Sequence, residues 1–351
     1  MRSSLSYLRW PLIVTFLGIV LAAWLGYRFT GTSSGMLSFL MIAVVLAILE
    51  ISLSFDNAIV NANKLKEMTP VWQRRFLTWG ILIAVFGMRI VFPLLIVVIA
   101  AKIGPWAAVQ LAATNPAEYS RLIGEAHLPI AAFGGAFLML VALTFFFDQS
   151  KEVDWIAKIE RGLRAAGSVR GMEVGFVLTI IVFFVWLLPV RDEQVFMFSA
   201  MWGILTFLAV DAVGHVLDRW GKTQSAAHTT AQAGLGGFLY LEVLDASFSF
   251  DGVIGAFALT QNLFLIAIGL GIGAMYVRSM TVMLVERGTL AEFRYLEHGA
   301  FWSILILSII MFGQTMWHLP EVVTGLLGAV FIATAFVNSV MWNRRHHRVV
   351  E

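Results

Sequence analysis

Long apolar runs constrain this chain more than any other feature of its sequence. Residues 36–60, for example, contain only two charged side chains, Glu50 and Asp56. Several such runs exceed about 18 residues, the length at which a helix crosses a hydrocarbon core of roughly 30 Å. Charged residues make up 13% of the chain, against about 25% in soluble domains. The sequence therefore predicts an all-α polytopic membrane protein, because the runs are continuous and lack the alternation of barrel strands.

The apolar runs predict about ten transmembrane helices, at residues 10–28, 36–62, 76–101, 129–148, 172–190, 197–217, 234–260, 263–285, 298–317 and 321–342. With the N-terminus inside, eighteen of the 24 Lys and Arg residues fall in inside segments and four in outside segments. This bias follows the positive-inside rule and predicts that both termini are cytoplasmic. Residues 105–127 leave room for a further short or re-entrant helix. The chain has no cysteine, which excludes disulfides, thiolate ligands and thiol nucleophiles.

Two similar acidic motifs lie within apolar runs: "EISLSFDN" at residues 50–57 and "DASFSFDG" at residues 245–252. An offset of 195 residues aligns Glu50 with Asp245 and the Ser-Phe-Asp triplets with each other. By the span count the two motif helices run in opposite directions. Inverted repeats with polar motifs at mid-membrane are typical of secondary transporters, whose site lies at the repeat interface. The predicted units are an N-terminal helix (1–35), a first repeat (36–148), a cytoplasmic amphipathic loop with two linking helices (149–232), a second repeat (233–343) and a basic tail (344–351).

Charge inside the membrane requires a partner or a function, since a charged group at the bilayer centre costs roughly 2.5–3.5 kcal/mol on insertion scales. Five carboxylates fall in the two motif spans: Glu50, Asp56, Glu242, Asp245 and Asp251. Arg89 and Arg278, each on the span after a motif, are the predicted internal counter-charges. A purely structural interpretation is that the acids are protonated, or are paired with these arginines for helix packing.

The side chains of the two motifs offer only oxygen ligands. Besides the carboxylates they provide the Asn57 amide and four supporting hydroxyls, from Ser52, Ser54, Ser247 and Ser249. Hard oxygen ligands suit Mn²⁺, Ca²⁺ or Mg²⁺ better than Zn²⁺ or Cu⁺. We therefore expect a divalent cation as substrate, exchanged against protons, and no permanently bound cofactor.

Helical geometry raises a difficulty for a single shared site. One face of the first motif carries Glu50, Ser54, Asn57 and Asn61, and the matching face of the second carries Asp245, Ser249 and Gly252, with Glu242 one turn earlier. In a straight helix Asp56 and Asp251 lie about 120° away from Glu50 and Asp245. Either the helices are distorted near the Ser-Phe-Asp step, which Gly252 would ease, or the site has two tiers.

Two other segments carry polar patterns. Asp211 and His215 lie one turn apart on the sixth span and form either a proton relay or a locally satisfied pair. In the loop 149–171 one helical face carries Trp155, Ile156, Ile159 and Leu163. This face predicts a helix lying on the membrane surface, with a regulatory or partner-binding helix as the alternative.

The segments "LEISLSFDNAIVNANKL" and "LEVLDASFSFDGVIGAFAL" resemble the signature helices of the TerC superfamily of integral membrane proteins. The likeness covers about residues 36–343 and is closest to the superfamily's longer branch, described only as a domain of unknown function. It implies export of a divalent metal, chiefly Mn²⁺, across the bacterial inner membrane. The metal-site positions that the resemblance implies are Glu50, Asp56, Asn57, Asp245 and Asp251. Gly252 replaces Asn57 in the second motif, so the two halves are not equivalent.

Two other function classes also place carboxylates within membrane spans or lack a transport activity. An intramembrane aspartyl protease would pair Asp56 with Asp251 as a dyad, but its Gly-x-Gly-Asp motif is absent, and Glu50 and Asp245 would be superfluous. A non-transporting membrane scaffold or stress-response partner is the other alternative, and its deletion would leave cytosolic Mn²⁺ unchanged. We expect no enzyme activity and no nucleic-acid partner, because the net charge of +2 follows from membrane orientation. The expected partners are lipid, the cation and protons.

Overall fold

The computed structural model describes residues 4–80, 83, 87, 90–223, 235–260, 262–287, 292–317 and 321–347, and every element within these ranges is a helix. The first half contains α1 (Ser4–Thr30), α2 (Ser33–Leu53), α3 (Phe55–Glu67), α4 (Pro70–Arg75), the π-helical turn Phe76–Gly80, α5 (Phe92–Ala101), α6 (Pro105–Thr114), α7 (Pro116–Glu125) and α8 (His127–Phe147). The second half contains α9 (Ala157–Ala166), α10 (Met172–Leu187), α11 (Val190–Thr223), α12 (Leu235–Leu259), α13 (Leu263–Arg287), α14 (Leu296–Gln314) and α15 (Glu321–His347).

Seven helices in the described ranges are long and apolar enough to cross a membrane: α1, α2, α8, α11, α13, α14 and α15. Each coincides with one of the ten expected spans. The other three expected spans correspond to α12, which contains three carboxylates, to α10, which has 16 residues, and to residues 76–101, which lie partly outside the described residues. The predicted all-helical class is confirmed, and seven spans are supported by length and composition.

Small residues bring the helices together in two groups. In the first group α13 packs on α1 and α2, and Gly269 lets α13 approach Leu46 closely. In the second group α8 packs on α11 and α14, where Gly203 lies against the backbone of Phe133. Such close contacts are the usual basis of helix association in lipid. The motif helices α3 and α12 contact members of both groups, so the two acidic motifs lie in the middle of the bundle.

Residues 105–127 form two short helices, as the sequence left open. Pro105 and Pro116 each occupy the first turn of a ten-residue helix, α6 and α7. The side chain of Asn115 caps α7 by accepting the amide N–H of Glu118. Each helix is about 15 Å long and cannot cross a bilayer. Tyr119 on α7 belongs to the same buried cluster as Val253 near the end of α12, so this hairpin covers that end of the motif helix.

The loop 149–171 contains the predicted helix, and Leu163 of its expected apolar face packs against the core. Its helix α9 packs on the bundle through Glu160, which is 0% exposed, while Ile159 of the expected apolar face is 50% exposed. Glu160 accepts hydrogen bonds from Lys151 Nζ at 2.8 Å and from Trp302 Nε1 at 3.0 Å. His298 Nδ1 lies 2.7 Å from the same carboxylate. Burial alone would raise the pKa of Glu160, but the hydrogen bonds from His298 and Lys151 hold it well below its usual value.

Candidate functional site

The first motif helix is interrupted within its Ser-Phe-Asp step. Helix α2 ends at Leu53, Ser54 has φ −105° and ψ 13°, and α3 begins at Phe55. The Ser54 hydroxyl donates to Glu50 Oε1 at 3.0 Å. The second motif behaves differently, because α12 is continuous from Leu235 to Leu259. The predicted distortion therefore occurs in the first motif, and the expectation that Gly252 eases a distortion in the second is wrong.

Two contacts join the motif helices. Asn61 Nδ2 donates to Asp245 Oδ1 at 2.8 Å, across 184 residues of sequence. Gly252 faces Glu50 so closely that a Cβ atom on it would lie 2.8 Å from Glu50 Oε2. Residue numbers rise from 50 to 61 on one side while they fall from 252 to 245 on the other. The two motif helices therefore run antiparallel in the middle of the bundle.

The carboxylate of Glu50 lies in a slot made by two glycines. Glu50 is 2% exposed. Any Cβ atom on Gly273 of α13 would overlap the side-chain carbons of Glu50, and a Cβ atom on Gly252 would crowd its carboxylate. Gly252 thus serves to make room for Glu50, which explains why the second motif has no counterpart of the Asn57 side chain.

The contacts divide the site into two levels. Glu50 lies beside Gly252, and Asp245 lies beside Asn61. The seven-residue step from Asp245 to Gly252 corresponds to about 10 Å of helix at 1.5 Å per residue. The structure therefore shows the predicted break in one motif helix, and it also places the matched carboxylates Glu50 and Asp245 at different levels, which the sequence did not predict. A second tier made by Asp56 and Asp251 stays a prediction, because their side chains lie outside the described part of the chain.

Further polar side chains surround these tiers. Asn57, Glu242, Ser247 and Ser249 are all buried. Within the described ranges neither carboxylate oxygen of Glu242 has a hydrogen-bond partner, and a Cβ atom on Gly80 would lie 3.0 Å from Glu242 Oε1. Ser247 instead donates to Val243 O of its own helix at 2.9 Å, so its hydroxyl is already satisfied. Arg278 lies partly buried on α13.

Several predicted site groups lie outside the described part of the chain. These are the side chains of Ser52, Asp56, His215 and Asp251, and the whole of Arg89. The part that is described contains no group of three His, Asp or Glu side chains placed to hold a metal ion. Described contacts place four possible metal-ligand groups at the two tiers: the carboxylates of Glu50 and Asp245, the Ser54 hydroxyl and the Asn61 amide. The roles predicted for Asp56, Asp251 and Arg89, and for the Asp211–His215 pair, stay predictions.

A cavity of about 640 Å³ is lined in part by residues of α3, α8 and α12. It opens at the end of the bundle where α3 ends and α12 begins, and its polar lining includes Asn63, Lys64, Asp148, Asp211, Tyr240 and Glu297. Val60 and Asn63, on either side of Asn61 in sequence, both line it. Asn63 Nδ2 donates to Glu297 Oε1 at 2.6 Å. We refer to this cavity as the vestibule.

The sequence did not predict the vestibule, nor the contacts of Glu160 with Lys151, His298 and Trp302. Asn63 and Glu297 are 234 residues apart, and neither belongs to a repeated motif, so no local pattern pairs them. Glu160 stood on the charged side of an apparently surface-lying helix. The only available signal was its neighbourhood of opposite charges, Lys158 and Arg161, which is equally typical of a solvated face.

Comparison with known proteins gives a family and nothing more specific. A family model described as a protein of unknown function (DUF475) matches residues 55–346. No curated protein and no solved structure matches the chain significantly. The match includes α3 and α12 but begins after α2, so Glu50 and Ser54 lie outside it.

Proposed function

The chain belongs to the DUF475 family of proteins of unknown function, and we propose that it is a secondary transporter that exports a divalent metal cation across the bacterial inner membrane. The observation that carries this proposal is the contact of Asn61 with Asp245. It joins two acidic motifs, far apart in sequence, at the centre of an apolar helical bundle. Intramembrane carboxylates that face a bundle interior typically mark ion pathways.

The donor set supports a hard cation as the substrate. Glu50 and Asp245 supply carboxylate oxygens, and Ser54 and Asn61 add hydroxyl and amide oxygens. Carboxylate and carbonyl oxygens suit Mn²⁺, Mg²⁺ and Ca²⁺. Within this group we favour Mn²⁺, as the resemblance to the TerC superfamily implies. Asp56, Asn57 and Asp251 complete the proposed ligand set.

The antiparallel motif helices support an architecture of two inverted repeats within ten spans. In this architecture the cation enters from the cytoplasm through the vestibule, binds first at the Asp245 tier and then moves to the Glu50 tier. The short helices α6 and α7 lie over the opposite end of α12 and close the exit side. Alternating access then consists of closing the vestibule and opening the α6–α7 hairpin.

Exchange against protons follows from the same carboxylates. When the cation leaves, the ionised carboxylates lose the positive charge that balanced them, and proton binding restores that balance. Arg278 and Arg89 are the proposed fixed counter-charges. Glu242, whose oxygens have no hydrogen-bond partner among the described residues, is a further proposed acceptor, and Asp211 with His215 is the proposed relay at the vestibule.

Transport by the purified chain in liposomes tests the proposal. We expect Mn²⁺ uptake that a proton gradient accelerates, with Zn²⁺ moved more slowly, in a comparison that includes Ca²⁺ and Mg²⁺. Asp245→Asn should reduce Mn²⁺ uptake by about tenfold or more, since even second-shell changes cost 10–100-fold in metal affinity. Glu193→Gln, which removes an acid from the first turn of α11, is the control. A chain that moves none of these cations would contradict the transporter and favour the scaffold.

A further inference from the structure

Asn61 is placed unusually for an asparagine that only stabilises a fold. Its side chain is 4% exposed, and its Nδ2 donates to Asp245 Oδ1 at 2.8 Å. Its Oδ1 is buried and has no hydrogen-bond partner among the described residues. Most buried polar atoms have a partner, so an orphaned one calls for a functional explanation.

The orientation of the amide follows from the chemistry of its neighbour. An ionised carboxylate only accepts hydrogen bonds, so the amide must turn its NH₂ group toward Asp245. This orientation leaves Oδ1 without a donor. A cation at Asp245 reverses the requirement, because it binds oxygen and repels the NH₂ group.

We propose that Asn61 is a ligand of the transported cation. Before the cation arrives, the NH₂ group of Asn61 occupies the cation's binding position on Asp245 Oδ1. When the cation enters, it takes over Asp245 Oδ1 from Nδ2. The amide then turns about χ2, a torsion with a broad and roughly two-fold preference, and presents Oδ1 to the ion. This inference rests on the proposed transport function and adds a ligand that neither the motif alignment nor the family resemblance assigns.

The two motif helices differ in chemistry at the position of Asn61. Val60, Asn63 and Lys64 of α3 line the vestibule, whereas Asn61 is turned toward Asp245 on α12. With the offset of 195 residues, the position of the second motif helix that aligns with Asn61 is Ala256. An amide ligand at this position therefore exists in one half of the molecule only, and the Asp245 tier is chemically distinct from the Glu50 tier.

A purely structural role makes different predictions for substitution. If Asn61 only anchors Asp245, Asn61→Asp is the most damaging change, because two carboxylates then face each other at hydrogen-bond distance. If Asn61 is a ligand, Asn61→Asp keeps an oxygen for the cation, whereas Asn61→Leu removes it at similar volume. The two roles are therefore distinguished by which of the two variants binds the cation more tightly.

Calorimetric Mn²⁺ binding to the purified full chain tests the inference. We expect Asn61→Leu to raise the Kd for Mn²⁺ about tenfold or more, while Asn61→Asp binds as tightly as the unsubstituted chain or more tightly. The Mn²⁺-dependent increase in Tm should be larger for Asn61→Asp than for the unsubstituted chain, because the cation relieves the added repulsion. If the leucine variant does not fold, Asn61→Ala gives the same comparison.

Asn343→Leu is the matched control. Asn343 lies near the end of α15, where its Nδ2 donates to the backbone oxygen of Glu292 at 2.8 Å, and we expect its Kd for Mn²⁺ to stay within about twofold of the unsubstituted value. Equal Kd values for Asn61→Leu and the unsubstituted chain would overturn the ligand role. So would an Asn61→Asp variant that binds more weakly than Asn61→Leu. If the unsubstituted chain binds no Mn²⁺, calcium or magnesium, the transport proposal itself fails, and this inference fails with it.

Discussion

Gly252 and Gly273 both pack against Glu50, and the atoms that surround the two glycines differ in how easily they can move. Gly252 is crowded by the carboxylate oxygen of Glu50, the far end of a flexible side chain, whereas Gly273 is crowded by its inner carbons. A methyl group on Gly252 can therefore be accommodated by moving the carboxylate. A methyl group on Gly273 has to displace the helix itself, since Ala47 O is a further neighbour.

This contrast predicts different effects for two alanine substitutions. Gly273→Ala should destabilise the protein by about 1–3 kcal/mol, the usual effect of overpacking, and lower its Tm in detergent. Gly252→Ala should leave Tm nearly unchanged but weaken Mn²⁺ binding, because the displaced group is a proposed ligand. Gly175→Ala on α10 is the control, since nothing lies within 4 Å of its added Cβ atom. A Tm loss for Gly252→Ala as large as that for Gly273→Ala would contradict this account.

At the scale of the helix, the sequence predicted the two motif spans well but could not say which one breaks. The 120° offset between Glu50 and Asp56 pointed to a distortion, and Gly252 made the second motif the weaker helix on propensity alone. The break lies instead at Ser54, whose hydroxyl bonds to Glu50. Gly252 stays helical because its missing side chain is needed for packing, a tertiary contact that local propensity does not contain.

The helix α9 shows the same limitation in another form. Its apolar stripe predicted a membrane-surface location, but its strongest contacts come from one buried carboxylate. Glu160 meets Lys151 in the same loop and Trp302 on α14. These partners are unrelated to it by any sequence period, so hydrophobic patterning could not identify Glu160 as a contact with the bundle, although Leu163 of the apolar face does pack against the core.

Glu160→Gln should release α9 from the bundle. The change removes the closer anionic partner of the buried Lys151 and leaves it only the longer contact with Asp154 at 3.7 Å. Breaking a buried ion pair costs roughly 3–5 kcal/mol. We expect faster tryptic cleavage after Lys158 and Arg161, two exposed residues of α9, measured by mass spectrometry of the fragments. Glu152→Gln, an exposed acid in the same loop, is the control, and equal cleavage rates for the two variants would refute the anchoring role.

The lowered pKa of Glu160 also fixes the sign of its pH dependence. A depressed carboxylate pKa stabilises the folded state at every pH above the ordinary value of 4.5, and this contribution is lost only as the pH falls below that value. The unsubstituted loop should therefore resist cleavage equally at pH 7 and pH 5. A suitable check replaces trypsin by a protease active at both values. Release of α9 already at pH 5 would show that another group controls the contact.

Across the whole molecule, the two motif segments interlock. Gly273, on the helix that follows the second motif, packs against Glu50 of the first motif. Gly80, in the segment that follows the first motif, packs against Glu242 of the second motif helix. Glu50 and Glu242 are therefore each packed against a glycine from the opposite half of the chain. Neither half can complete its own acidic environment alone, which makes separate folding of the two halves unfavourable.

The orientation of the molecule can be tested directly because the chain has no cysteine. Single cysteines at Thr144, which lines the vestibule, and at Trp106, exposed on α6, report on opposite ends. A membrane-impermeant maleimide should label Thr144→Cys in inside-out vesicles and Trp106→Cys in intact cells, as the Lys and Arg distribution predicts. The reverse pattern would invert the proposed transport direction. Failure to label Thr144→Cys from either side would show that the vestibule is closed to water.

The size of the vestibule has a consequence for ion selection. At about 30 Å³ per water molecule, a cavity of about 640 Å³ holds about twenty waters, far more than the roughly six that surround a small divalent ion. Under the proposed function an ion therefore keeps its hydration shell until it reaches Asn61 and Asp245. Stripping that shell then becomes the selective step. Mg²⁺ dehydrates reluctantly, so under this proposal it binds Asn61 and Asp245 less readily than Mn²⁺ does. Cytosolic magnesium is then excluded by its cost of dehydration, and no side chain is needed to repel it.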